Sequence, residues 1–205
     1  MVALTHWVCF LCFLRTADVM APCLSVVFRR LVLLGSFMAC WRQANVTPIP
    51  KGPPSSSVGN YLPISMTSVL SKVFERLVSV RLWRFMERSG VLPTTQFSCR
   101  KGLGTCDALL CTIHCRVHWR VGRRLGSCRL ISVKPLMGST IWVFSISSAL
   151  WVGIGGSVLS ILAQFLSNRS QHVMVDGCRS KLVNVVPGVL QGSVLSPLLF
   201  LLYTS

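Results

Sequence analysis

The sequence predicts an α+β fold, and three observations carry that expectation. Apolar residues recur near every 3.6 positions from about Ser68 to Ser89, the spacing of a helix with one buried face. Two runs rich in β-branched residues, His172 to Val175 and Lys181 to Val186, flank Asp176-Gly177, a dipeptide that favours a hairpin turn. The 205 residues are 52% hydrophobic, enough to bury a core within one or two domains.

The elements follow in order. Thr16 to Cys40 reads as a helix with Val19, Met20, Leu24, Val27, Phe28 and Leu31 near helical spacing, interrupted by Gly35-Ser36. Trp41 to Ile49 reads as a short strand with Val46 and Ile49 on its apolar side. Residues 50–57, rich in Pro, Gly and Ser, form a loop. In the helix from Ser68, the apolar face is Leu70, Val73, Phe74, Leu77 and Leu82, with Glu75 and Ser79 on the other side. Thr67 or Ser68 caps its start, and Gly90 and Pro93 stop it. Ser157 to Leu166 is a short helix. After the hairpin, Gln191-Gly192-Ser193 leads into the apolar run Pro197 to Tyr203.

Lys and Arg number 21 against 5 acids, a net charge of +16. That excess points to a polyanionic partner, nucleic acid first and an anionic membrane surface second. The hydrophobic content excludes a disordered basic tail. Chemistry needing many carboxylates is disfavoured, since only Asp18, Glu75, Glu87, Asp107 and Asp176 exist. The ten irregularly spaced cysteines, and an apolar Trp7 to Leu14 too short and poorly flanked for a signal peptide, favour a reduced intracellular setting. One stretch competes with that view. Residues 135–168 carry no charge, and 141–166 is long enough to span a bilayer, although serines, glycines and Gln164 dilute it.

Three blocks share one likeness. The first is Trp41 to Lys51 (WRQANVTPIPK) followed by Asn60 to Ser65 (NYLPIS). The second is Gln96 to Gly102 (QFSCRKG) leading to Thr105-Cys106-Asp107-Ala108. The third is Gly188 to Phe200 (GVLQGSVLSPLLF). In this order and spacing they resemble the reverse transcriptase domain of non-LTR, LINE-type, jockey-like retrotransposons, over about 15–113 and 152–205. The resemblance implies a partial fingers and palm, RNA-directed DNA synthesis on RNA and DNA, and two magnesium ions held by carboxylates. The family's Asp-Phe-Ser-x-Ala-Phe-Asp strand and Tyr-Ala-Asp-Asp turn are not found, so the expected fold has its central palm strand disrupted and its catalytic turn absent. The expectation for this copy is no catalytic residue, no bound metal and no polymerase activity. Leu62 stands at the family's usual Arg, Leu190 at its Pro and Ser196 at its Gly.

The middle, 114–152, holds no Asp or Glu, and Arg116 to Lys134 carries six positive charges. With third bases chosen within synonymous codons, Arg129 to Ile141 read in a shifted frame spells IDFSEAFDGVNH, the missing strand. The expectation is two compensating frameshifts, near 112–114 and 151–153. The chain then divides into an unmatched apolar start (1–14), a fingers and early-palm region (15–113), an out-of-frame segment (114–152) and a truncated palm region (153–205). A hairpin alone is marginal, so poor independent stability is expected.

The resemblance assigns ancestral nucleotide or nucleic-acid contacts to Lys51, Asn60, Arg100, Lys101, Gln191, Gly192 and Ser193. Lys51 on its Pro/Gly loop would touch phosphate, or is a solvated lysine. Gly192 permits close backbone approach to a template or nucleotide, or serves a strand-to-helix turn. Arg100 and Lys101 track a phosphate backbone or form a solvated face. Cys106, Cys111, His114 and Cys115 lack the paired spacing of a zinc site and read as core or incidental. Beside the inactive polymerase stand two alternatives: a basic nucleic-acid-binding protein without catalysis, and a small membrane protein anchored through 141–166.

Overall fold

A computed structural model describes residues 15–53, 56–92, 102, 104, 106, 109–110, 153–185 and 190–204. These form a mixed α+β fold, a sheet packed with helices.

Helix α1 runs Ala17–Leu34. Gly35 ends it in the left-handed conformation (φ 61°), and the N–H groups of Gly35 and Ser36 bond back to the Val32 and Leu31 carbonyls. This paired closure satisfies carbonyls that the helix end leaves free. A Cβ on Gly35 would stand 3.0 Å from the Ser157 backbone, so glycine also permits a close crossing with α3 (Gly156–Leu166). Gln164 of α3 fixes that crossing, accepting from the Phe37 N–H at 3.0 Å and donating to the Gly35 carbonyl at 2.9 Å.

Strands β1 (Gln43–Pro50) and β2 (Tyr61–Met66) form an antiparallel hairpin, from Asn45↔Met66 to Pro50↔Tyr61. Strand β3 (Arg169–Val175) pairs with β1 in parallel, Gln43↔Ser170 through Val46↔Val173. On its other edge β3 meets β4 (Cys178–Arg179) near its end and β5 (Val183–Val185) near its start. Asp176 (φ 48°) and Gly177 (φ 81°) make the two-residue turn between β3 and β4 that the sequence predicts. The expected second strand starts later than Lys181. Ser180 follows β4 and precedes β5, accepting on its hydroxyl from the Val173 N–H at 2.9 Å and returning its own N–H to the Val173 carbonyl at 2.9 Å.

Helix α2 covers Val69–Arg88, and Gly90 (φ 63°) follows it. Its face differs from the expectation. Glu75 is fully buried and Ser79 is buried, whereas Leu77 is 52% exposed. Val46 is buried but Ile49 is 44% exposed. Three residues apart on a strand, the two point to opposite faces, so they could not share an apolar side.

The core joins α1, α2 and α3 with a further helix, α4 (Ser196–Thr204). At its centre Phe28, Trp41, Phe74, Phe37 and Phe165 stack with centroids 5.4 to 6.3 Å apart, mostly tilted or edge-on, as ring quadrupoles favour. Ile161, Leu162, Phe165 and Leu166 are fully buried there. This disposes of most of the described part of the expected membrane anchor. α3 has 11 residues, about 16 Å, against a hydrocarbon layer of about 30 Å. Among the described residues, no helix is long and apolar enough to cross a membrane. Residues 1–14, and 141–152 of the expected anchor, lie outside the described residues.

Candidate nucleic-acid interface

Lys51 and Asn60 meet at the closed end of the β1–β2 hairpin, where the connecting loop leaves the strands. The Lys51 N–H bonds the Asn60 carbonyl at 2.9 Å, and Lys51 Nζ donates to the Gly59 carbonyl at 3.1 Å. Both residues are exposed. The lysine closes its own loop and keeps part of its ammonium facing water.

Gln191-Gly192-Ser193 lies at the other end of β2. The Gln191 carbonyl accepts from the Ser65 N–H at 3.0 Å. Gly192 (φ 99°) passes so close that a Cβ there would stand 3.0 Å from the Ser65 carbonyl oxygen. Only glycine tolerates both the angle and the approach. Asn60 and Ser65 are five positions apart along extended chain, about 16 Å, so the two groups of expected contacts form separate patches. Gln191 and Gly192 are exposed and Ser193 is buried. The three thus divide, and Ser193 turns inward. Arg100 and Lys101 lie outside the described residues, as do Cys111, His114 and Cys115; Cys106 is exposed and unpaired.

What Ser193 turns toward is Glu75. Its hydroxyl donates to Glu75 Oε2 at 2.7 Å. The Val194 and Leu195 N–H groups reach the same oxygen at 2.9 and 3.4 Å. Ser71, one turn earlier on α2, donates to Oε1 at 2.9 Å. The carboxylate therefore sits at the N-terminus of α4, where unserved N–H groups and the helix dipole favour a negative charge. Ser196 adds a bond of 2.6 Å from its hydroxyl to the Leu190 carbonyl. The two positions that depart from the resemblance's Pro and Gly are thus joined to each other.

Sequence reasoning placed Glu75 on the polar side of α2. The missed signal was the stripe Ser71, Glu75, Val78, Ser79, Leu82 and Met86, all buried and on one helical face. Arg169 was missed too. It is 2% exposed, donates Nη1 to the Phe165 carbonyl at 2.7 Å, and stacks over the Phe165 ring at 4.5 Å. Burial pulls its guanidinium down to about 10; Glu75 opposes that pull and Arg42 adds to it. It stays charged at neutral pH. Nε and Nη2 of Arg169, and Nε of Arg42, have no hydrogen-bond partner among the described residues.

The described residues do not fit a magnesium pair. Glu75 is occupied by four donors, Glu87 accepts from Trp83 Nε1 at 2.8 Å on the surface, and Asp18 and Asp176 lie on separate exposed elements. No group of three or more potential metal ligands occurs among them.

No family model matches the chain. It is 29% identical over 182 residues to the probable RNA-directed DNA polymerase from transposon X-element of Drosophila melanogaster, covering 88% of this chain and 20% of that protein. It is 28% identical over 190 residues to the probable RNA-directed DNA polymerase from transposon BS of the same fly, covering 89% and 20%. It is 26% identical over 183 residues to the RNA-directed DNA polymerase from its mobile element jockey, again covering 89% and 20%. The chain thus spans about a fifth of the length of these curated relatives. It is a distant relative of the reverse-transcriptase-like proteins of non-LTR retrotransposons of the jockey, BS and X-element kind.

Proposed function

We propose that the chain is a fingers-and-palm fragment of a non-LTR retrotransposon reverse transcriptase, in a copy that no longer polymerises. The observation that carries this reading is the seat of the Gln191-Gly192 turn. It is held against β2 with Gln191 and Gly192 outward, as a template or nucleotide contact requires. The matches to polymerase sequences support it. The matches cover 88 to 89% of the chain, which supports a segment 114–152 derived from polymerase sequence. Two compensating frameshifts account for a segment of the right place with the wrong residues. Magnesium belongs to the family's chemistry, and no step is assigned to it here. The test is primer extension with magnesium, beside direct sequencing of the transcript over codons 105 to 155. Expected are no extension above a mock-purified control and a shifted frame that spells the Asp-rich strand. Extension above the control overturns the loss of activity. A shifted frame that spells nothing related overturns the frameshift.

A second reading concerns what such a fragment still does. Arg81, Arg84 and Arg88 recur at i, i+3 and i+7 on α2, so they share one face, and all are exposed. Arg29 and Arg30 are exposed on α1. With a net charge of +16 these favour non-catalytic binding to a phosphate backbone. Such binding falls steeply as salt rises, and no binding of RNA or DNA at low salt would end this reading.

A further inference from the structure

We infer that Glu75 is the positioning residue of the Gln191-Gly192 turn: its carboxylate holds the turn in the one arrangement that presents those two residues outward. The inference rests on the nucleic-acid reading above and goes beyond it by naming the group through which the turn is set.

The turn is pinned from two sides. On one side the Gln191 carbonyl accepts from the Ser65 N–H, and Gly192 lies against the Ser65 carbonyl. On the other, Ser193, Val194 and Leu195 all donate to Glu75 Oε2. Between these anchors the Leu190 carbonyl accepts from the Ser193 N–H at 3.3 Å and the Ser196 hydroxyl at 2.6 Å, closing the loop on itself. The first bond of α4 runs from the Leu199 N–H to the Leu195 carbonyl at 3.0 Å. The Val194 and Leu195 N–H groups therefore precede the helical ladder and need an acceptor from elsewhere. Glu75 supplies it from 119 and 120 residues away, sharing the Leu195 N–H with the Ser193 hydroxyl oxygen at 3.2 Å.

Charge and reach both matter. Three donors converge on a single oxygen, which a carboxylate accommodates and a neutral amide does less well, because charge-assisted bonds are the stronger ones. Glutamine at 75 keeps the length and the Ser71 anchor but loses the charge. It also presents an NH2 group to donors if it turns the other way. Ser193 has no hydroxyl left to offer a ligand. Its contribution is to relay the position of α2 to the two residues that precede it.

The experiment uses the full chain and a fluorescein-labelled DNA primer annealed to an RNA template. Affinity is measured for wild type, Glu75→Gln, Gln191→Ala and the double variant. Hydrogen exchange is followed in parallel across 190–204. Each single variant is expected to weaken binding roughly 2- to 12-fold, the range of one hydrogen bond. The double variant should be no weaker than the weaker single one, because both act through the same turn. Glu75→Gln should also speed exchange at Val194 and Leu195 while leaving β3 amides unchanged. Independent losses that multiply in the double variant, or unchanged exchange at Val194 and Leu195, overturn the inference. If Glu75→Gln does not fold, Ser193→Ala combined with Gln191→Ala repeats the same cycle. Wild type that binds no duplex overturns the nucleic-acid reading instead, and the exchange arm then still decides whether Glu75 holds the turn.

Discussion

Two charges are buried on the same core, and they are served very differently. Glu75 receives four donors, all within 3.4 Å. Arg169 has one carbonyl and one ring face, and two of its N–H positions have no partner among the described residues. The donors to Glu75 come from α2 and from residues 193–195. A buried guanidinium needs acceptors, and one carbonyl and one ring face leave Nε and Nη2 unserved among the described residues. Burial alone does not settle a charge; the number of partners that reach it does.

The largest expected effect that tests this contrast is at Glu75. Glu75→Ala strands the Ser193 and Val194 donors, leaves the Leu195 N–H only the Ser193 hydroxyl oxygen at 3.2 Å, and should cost about 3–5 kcal/mol by urea unfolding. A loss under about 1 kcal/mol would mean that water serves those donors and that the junction is not sealed. Ser193→Ala removes one donor and leaves the carboxylate three others, so a loss of about 1 kcal/mol is expected.

Arg169→Met should change stability by no more than about 1 kcal/mol, or raise it. Methionine fills the space beside Phe165 and removes two unserved N–H positions. A loss of about 3 kcal/mol or more would reveal a partner and break the comparison. The pH dependence sharpens it. Arg169 has a folded value of about 10, pulled below its ordinary value by burial, so the folded state disfavours its charge. The unfolded chain then holds more protons between those two values, and stability gained from this group rises only as pH climbs through that window. From pH 5 to 9 both states are fully protonated there. The wild-type and Arg169→Met stability curves should therefore run parallel in that range. A gap that widens or narrows below pH 9 would show another titrating group against the guanidinium. The smallest effect is expected at Lys51→Ala, within about 0.5 kcal/mol, since its ammonium bond to Gly59 is exposed.

Much of the framework was legible because it is local. Ser68 to Ser89 was expected as a helix and Val69–Arg88 forms it; Ser157 to Leu166 was expected and Gly156–Leu166 forms it. Asp176-Gly177 takes the left-handed angles that its composition favours. Where the reading failed, the cause is long range. A glutamate in an amphipathic helix counts as surface until its partners are known, and those of Glu75 on the 193–195 turn lie some 120 residues away. Strand β3 begins at Arg169 rather than His172 because a strand that starts on a buried arginine has no sequence signature. At the site, the position of Gln191-Gly192-Ser193 before an apolar helix was legible. The inward turn of Ser193 was not, since only the junction with α2 decides it.

The parallel pairing of β1 with β3 carries a consequence for synthesis. β1 and β2 emerge from a ribosome early, yet Gln43 finds Ser170 only after more than a hundred further residues. At roughly 5–20 residues per second, that is a delay on the order of 6–25 s. Throughout it, the β1 edge that β3 will cover offers unpaired N–H and C=O groups to any neighbouring strand. A nascent chain that stalls before Arg169 therefore carries an open template for sheet extension. Crowded polysomes making this protein should yield aggregates seeded by the first hairpin, and ribosome-bound chains extended past Val175 should not.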